Sequence, residues 1–242
     1  MKQLILLLLF ITTSQNVLSE TLSGEVSVMS LNIYGWKTMP QHSDKYAQLI
    51  NSNNIEVVGI QEGVNDWQLT SKYPTDYSRS NALNESLGKC WTHKFQIFIN
   101  QCAGVEFVES GRFDLTDGPN ATRTGEYAII EKSNNKYLLV NIHWDHESEA
   151  TRIANAIETA NLINSMTKYP TILLGDFNSQ CNGKETLLMQ MKTKMTLFEH
   201  AGIDCIFTKN LIGNTKVISA LPSDHPSIIA KLKPKRHFDI NF

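Results

Sequence analysis

Residues 171–180, Thr-Ile-Leu-Leu-Gly-Asp-Phe-Asn-Ser-Gln, constrain the fold of this chain more than any other stretch. Their apolar run, residues 172–174, is bounded by Pro170 and Gly175, which is how a short, fully buried strand reads. A carboxylate and an amide follow at its end. Were the backbone to stay extended through Phe177, the side chains of Asp176 and Asn178 would leave on one face while Phe177 turned into the core. Such a pair can hold a water, a metal ion or a phosphate. Gly-Asp-x-Asn is equally ordinary turn chemistry, so the rest of the chain has to decide.

Short apolar segments recur on both sides of this stretch. Residues 26–33 read as a first strand with Asn32 near its end, and residues 55–60 as another that delivers Gln61 and Glu62. Between them, residues 44–51 have helical spacing at Tyr46, Ala47, Leu49 and Ile50, and strand, helix, strand is the pattern of a layered α/β unit. Residues 63–92 lack regular pattern and read as a long loop with some helix. Residues 95–99 and 105–108 read as two strands of a hairpin, and residues 126–131 and 137–144 as a second pair across Ser133-Asn134-Asn135. Residues 149–166 are helical, with Ile153, Ala156, Ile157, Ala160 and Ile163 on one face. Then come a short helix over residues 184–195, strands over 203–207 and 215–220, and a turn over 223–226 before a last strand, 228–232. Many strands and few helices point to a two-sheet, four-layer α/β sandwich.

Residues 1–19 carry Lys2, an apolar run over residues 4–11 and a polar segment ending Val17-Leu18-Ser19, the layout of a secretory signal peptide cut after Ser19. That run is well short of the roughly 20 residues that span a bilayer. Residues 20–242 read as a single domain, because no linker, internal repeat or low-complexity segment divides them. The formal charge is −2, or −3 once Lys2 leaves with the leader, so any polyanion binding has to be local or metal-assisted. The basic residues within 231–236 read as a solvated end. Four cysteines in a chain with an export signal make disulfides the expectation. Of the three pairings, Cys90 with Cys102 and Cys181 with Cys205 is favoured; the second would fasten the loop after Asp176 to the segment carrying Asp204. No Cys-x-x-Cys or paired-His spacing supports zinc. Asn84-Glu85-Ser86 and Asn120-Ala121-Thr122 are glycosylation sequons in loop-like surroundings.

Polar residues recur at the ends of apolar strands: Asn32, Glu62, His143, Asp176, Asn178, Asp204, Asp224 and His225. Strand ends of a layered α/β fold collect into one cleft. The segments Ser30-Leu-Asn32, Gly59-Ile-Gln-Glu62, Val140-Asn-Ile-His143, Gly175-Asp-Phe-Asn178, Ile203-Asp-Cys-Ile-Phe207 and Ser223-Asp-His-Pro226 together resemble the endonuclease/exonuclease/phosphatase superfamily, with its deoxyribonuclease I-like fold. They stand in that family's order and span nearly all of residues 20–242. Residues 141–160, with His143, Asp145, His146, Arg152 and Ala156, resemble a bacterial-type subgroup of secreted or cytosolic metal-dependent hydrolases. Cys181 resembles a structural disulfide position in deoxyribonuclease I.

The resemblance implies roles. Glu62 is the main ligand of a hard divalent ion, Mg²⁺ or alternatively Mn²⁺ or Ca²⁺, with Asn32 and Asp224 completing an oxygen-rich shell. Asp204 fixes the tautomer of His225, Asp176 and Asn178 orient the attacking water, and His143 donates to a non-bridging phosphate oxygen. Arg123 precedes its strand as a phosphate-contacting Arg does in relatives; a surface salt bridge is the alternative. His146 reads as a second cleft imidazole or a residue leading into a helix, and Trp36, Trp67 and Trp91 as a stacking platform or as core. The expected function is a secreted metal-dependent phosphodiesterase, an endonuclease hydrolysing DNA. A sphingomyelinase-like phospholipase C or a phosphatase for small phosphate esters is the alternative, and no obligate protein partner is evident. A non-catalytic binding protein would be expected to have lost a metal ligand or the Asp/His pair, and all are present.

Overall fold

The computed structural model of the chain describes residues 24–64 and 75–235. The expected leader, residues 1–19, and Trp67 lie outside the described residues. In the described chain, strands β1 (Val26–Asn32), β2 (Val57–Gln61), β3 (Trp91–Lys94), β4 (Ile97–Asn100), β11 (Leu211–Ser219) and β12 (Pro226–Pro234) form one sheet, in the order β11-β12-β1-β2-β4-β3. Strands β5 (Val105–Asp114), β6 (Thr124–Lys132), β7 (Asn135–His143), β8 (Thr171–Asp176), β9 (Thr196–Ala201) and β10 (Asp204–Lys209) form the second, in the order β5-β6-β7-β8-β10-β9. The helices are α1 (Gly35–Thr38), α2 (Ser43–Ser52), α3 (Ser78–Leu87), α4 (Glu149–Ser165) and α5 (Lys184–Thr193).

Each sheet carries one parallel pair near its middle, β1 with β2 and β7 with β8, and is otherwise antiparallel. A parallel pair needs a crossover, which the segments carrying α2 and α4 supply. Strand alternation then sorts the apolar residues into layers. Val28, Val57, Leu139, Ile172, Leu174 and Ile206 face into the space between the sheets. Met29, Leu31 and Val58 pack outward against Tyr46, Ile50 and Leu83 of α2 and α3. Leu138, Val140 and Leu173 pack outward against Ala156, Ala160 and Ile163 of α4 and Met189 of α5. The result is the four-layer sandwich that the strand count anticipated. No helix among the described residues is long and apolar enough to cross a membrane.

A polar bridge pins the two sheets to one register. Gln61 Nε2 of the first sheet donates to Asn141 Oδ1 of the second at 2.7 Å, and Asn141 Nδ2 donates back to the Ile60 carbonyl at 2.8 Å. Beside them the buried Glu126 carboxylate takes the Gln96 backbone N–H at 3.0 Å and its side-chain amide at 3.2 Å. Both anticipated disulfides are present, Cys90–Cys102 and Cys181–Cys205. The second ties the loop after β8 to β10.

One local expectation is corrected, the helix expected somewhere in residues 63–92 is located, and one strand is added. Residues 95–99 and 105–108 are not a hairpin: β4 pairs with β2 and β3, while β5 crosses to the other sheet and pairs with β6. The 3-10 turn Gln101–Ala103 and Gly104, at φ 75°, redirect the chain between the layers. Residues 63–92 contain the ten-residue helix α3, whose only buried apolar residues are Leu83 and Leu87, too few for a readable stripe. Strand β9, six largely half-buried or exposed residues at a sheet edge, has no apolar run to announce it.

Gly175 is required where it stands. It adopts φ +146°, and a Cβ there would sit 2.0 Å from the Ile142 carbonyl oxygen on the neighbouring strand β7. Gly175→Ala should therefore destabilise the protein by about 2 kcal/mol or more in equilibrium urea unfolding; a change within about 0.5 kcal/mol would mean that β7 and β8 adjust freely.

Candidate active site

The alternation that builds the apolar layer between the sheets also aims the polar strand ends into one cleft. Inward-facing residues of β1, β7 and β8 include Val28, Leu139 and Leu174. Two or four residues on, the same faces end in Asn32, His143 and Asp176. Antiparallel β10 begins at the same level, with Asp204 opposite Asp176, while His143 lies opposite Asp176 on the other side. Asp224 and His225 arrive on the turn before β12, where Ser223 Oγ donates to the Asn32 carbonyl at 2.7 Å and accepts from the His225 N–H at 3.1 Å.

Asp176 lies at the centre. Its Oδ2 accepts from Asn32 Nδ2 at 3.1 Å and stands 3.5 Å from His143 Nε2 and 3.8 Å from His225 Nε2. Burial, reinforced by the Asp204 charge, raises its carboxyl to about 7. Its Oδ1 accepts the Asn178 N–H at 2.8 Å, and Asn178 sits at φ 47° with Nδ2 donating to the Trp144 carbonyl at 3.0 Å. Of the two readings open for Gly-Asp-x-Asn, the turn is the one present. The strand ends at Asp176 and turn chemistry takes over, though Phe177 is fully buried as expected.

His225 Nδ1 lies 2.8 Å from Asp204 Oδ2. Burial alone would lower the imidazole, but the Asp204 hydrogen bond and charge, then Asp176, raise it to about 9, so it is charged at neutral pH. Asp204 is itself pushed upward by burial, with His225 opposing. His143 is the opposite case. Burial, then the Arg123 charge, holds it well below the usual imidazole range. Arg123 Nη1 lies 3.4 Å from His143 Nδ1 and can only donate, so the neutral ring carries its proton on Nε2, the nitrogen facing Asp176.

Arg123 is buried, not a surface ion pair, and its Nη2 lies 3.2 Å from His146 Nδ1. His146 therefore joins the wall of the cleft; its place was legible only as the second His of the 143–146 spacing. Trp36 lies on the rim of the cleft, whereas Trp91 is core. Together with Glu62, Ala121 and Asn178, these residues enclose about 250 Å³.

The donors fit a hard cation. Glu62 Oε1 accepts from Asn32 Nδ2 at 3.3 Å, while Oε2 is buried with no hydrogen-bond partner among the described residues. Burial raises the Glu62 carboxyl, a cost that an ion at Oε2 would relieve. Asn32 is turned so that its Oδ1 takes the Tyr34 N–H at 2.9 Å and its NH₂ faces the two carboxylates; it orients Glu62. Asp224 is exposed at the cleft edge. Among the described residues the tightest acid and histidine cluster is Asp176, Asp204 and His225, with one donor atom from each within 4.8 Å of the others.

Fold and site together define a phosphoric ester hydrolase. The chain belongs to the Endonuclease/Exonuclease/phosphatase family, whose model matches residues 29–225. The comparison with curated proteins finds no match. Among solved structures it is similar to the endonuclease/exonuclease/phosphatase from Bacteroides vulgatus, at 18% identity and TM-score 0.71 over 87% of this chain and 99% of that one. It is also similar to the mannosyl-6-phosphatase of Bacteroides thetaiotaomicron VPI-5482, at 17% identity and TM-score 0.68 over 86% and 99%. Sphingomyelinase C from Streptomyces griseocarneus aligns at 11% identity and TM-score 0.62 over 86% and 99%.

Because the folded-state value of His225 exceeds its unfolded value of about 6.5, its contribution to stability is full below that pH and is lost as pH rises through about 9. In Asp204→Asn, burial is opposed mainly by the more distant acids. NMR titration should then find the His225 midpoint well below about 9, and urea unfolding should lose this alkaline dependence. An unmoved midpoint would remove Asp204 as its cause.

Proposed function

We propose that the chain is an exported, divalent-metal-dependent phosphodiesterase that hydrolyses DNA as an endonuclease, by in-line attack of an activated water. The observation that carries this reading is the buried Glu62 Oε2, without a hydrogen-bond partner among the described residues, beside one charged and one neutral histidine. Bound at Glu62, Mg²⁺ or Mn²⁺ supplies Lewis-acid neutralisation of the phosphate charge. Asn32 holds the other Glu62 oxygen in place, and Asp224 stands within electrostatic reach of Glu62.

The differing histidine states assign the remaining work. His143, neutral with its proton on Nε2, donates to a non-bridging oxygen as charge develops there. His225, already an imidazolium, has no lone pair with which to take a proton from water; it stabilises the phosphate and can donate to the departing oxygen. Asp176, raised to about 7, is the better base for the attacking water, with Asn178 beside it to hold that water. Export rests on residues 1–19 and agrees with two disulfides.

A second reading keeps every role and changes the substrate to a small phosphate ester. The compact cleft of about 250 Å³ and the formal charge of −2 favour it, and the likeness to a protein named as a mannosyl-6-phosphatase supports it as fold-level analogy. The test is hydrolysis by the chain from Glu20 of supercoiled plasmid, RNA, sphingomyelin and small phosphate esters, with Mg²⁺ or Mn²⁺ and then with a chelator. Chelator-sensitive nicking of plasmid is expected; silence on nucleic acid with turnover of a small ester would select the second reading.

Glu62→Gln and His225→Ala should each lower kcat/KM about 10²- to 10⁴-fold with thermal unfolding nearly unchanged. Substantial residual turnover in both would sink the assigned site. The rate profile should be bell-shaped, rising as Asp176 ionises near pH 7 and falling as His225 loses its proton near pH 9. A flat profile between pH 6 and 10 would reject these two groups.

A further inference from the structure

Trp36 is 55% exposed, whereas Trp91 and Trp144 are 5% and 0% exposed. A single exposed apolar side chain needs no explanation in itself, but an indole at the edge of a cleft presents a broad ring face to whatever the cleft holds. Trp36 lines the same cleft as Glu62, His143 and Asp176.

Its position is set from below by the metal-site residues themselves. Tyr34 packs edge-on against the indole, with ring centroids 5.0 Å apart at 86°. The Tyr34 backbone adopts φ 48°, a costly conformation for a bulky residue, and its N–H is tied to Asn32 Oδ1 at 2.9 Å. Gly35 follows because a Cβ there would lie 2.1 Å from the Glu62 carbonyl oxygen. Thr38 Oγ1 closes the short helix by donating to the Ile33 carbonyl at 2.6 Å. The shelf thus moves only if Asn32 or Glu62 moves.

Apart from Ala121, whose methyl is too small to stack on, the rest of the lining is polar, and Arg123, His143, His146 and His225 suit the phosphate. We propose that Trp36 is a stacking subsite for a flat ring, a nucleobase or a sugar ring, carried by the alcohol esterified to the scissile phosphate. This rests on the reading of the cleft as a phosphoester site. Every base and the apolar face of a pyranose offer such a surface; an acyclic alcohol does not.

The test compares wild type, Trp36→Ala and Trp36→Phe, with Mg²⁺, on thymidine 5′-(p-nitrophenyl phosphate), glucose 6-phosphate and glycerol 3-phosphate. Trp36→Ala should lower kcat/KM about tenfold or more on the ring substrate that is turned over, leave glycerol 3-phosphate within about twofold, and be largely rescued by Trp36→Phe. Loss on glucose 6-phosphate marks a sugar; loss on the nucleotide ester marks the base when p-nitrophenyl phosphate, which carries the other flat ring, stays within about twofold. Equal loss on all three, or none on any, overturns the subsite. Should wild type hydrolyse none of them, the phosphoester reading fails separately, and calorimetry decides the subsite. Thymidine 5′-phosphate or glucose 6-phosphate should then bind more tightly than inorganic phosphate in wild type but not in Trp36→Ala, and equal affinities in the two proteins would overturn it.

Discussion

One buried oxygen, Asp176 Oδ2, is where the two sheets of this protein meet chemically. From the first sheet come the Asn32 amide at 3.1 Å and, on the turn before β12, His225 at 3.8 Å; from the second comes His143 at 3.5 Å. A carboxylate so enclosed is tolerable only if donors surround it. Every element that supplies one is therefore held to a common register, and Gln61 with Asn141 enforces that register a few residues deeper. The raised Asp176, the charged His225 and the neutral His143 are then three answers to one electrostatic problem, differing by which charge lies nearest each ring or carboxyl.

The site also concentrates backbone strain. Tyr34, Glu62 and Asn178 all have positive φ; Glu62 and Asn178 line the cleft, and Tyr34 packs against Trp36, which does too. Such conformations cost of order 1–3 kcal/mol each. The apolar layers beneath can offset this, since each fully buried Leu, Ile or Phe side chain contributes about 1.5–3 kcal/mol. Ile33, Ile60 and Phe177, each fully buried, lie within two residues of these strained positions and secure the backbone on which they sit.

Much of this was legible in the sequence, for identifiable reasons. Short apolar runs announced β1, β7 and β8, a clean stripe announced α4, and the polar residue closing each strand announced the cleft. What stayed hidden lacked such contrast. Helix α3 buries few apolar residues, β9 is an exposed edge, and the crossing of β5 to the second sheet depends on a turn that no periodicity encodes. Within the site, residue identity told which groups assemble but not how they orient. The Asn32 amide is set by the Tyr34 N–H two residues on, and the histidine tautomers by Arg123 and Asp204, 20 and 21 residues away from their rings in the chain.

The first sheet is assembled from both ends of the chain. Strand β1 pairs with β12, Val26 opposite Leu232, while residues 105–209 between them build the other sheet. During synthesis the middle of the chain can therefore form its sheet while β1 still waits for its partner. His225 reaches the cleft only as β12 docks on β1, so the cleft is complete only once strands from both ends of residues 26–234 are zipped together.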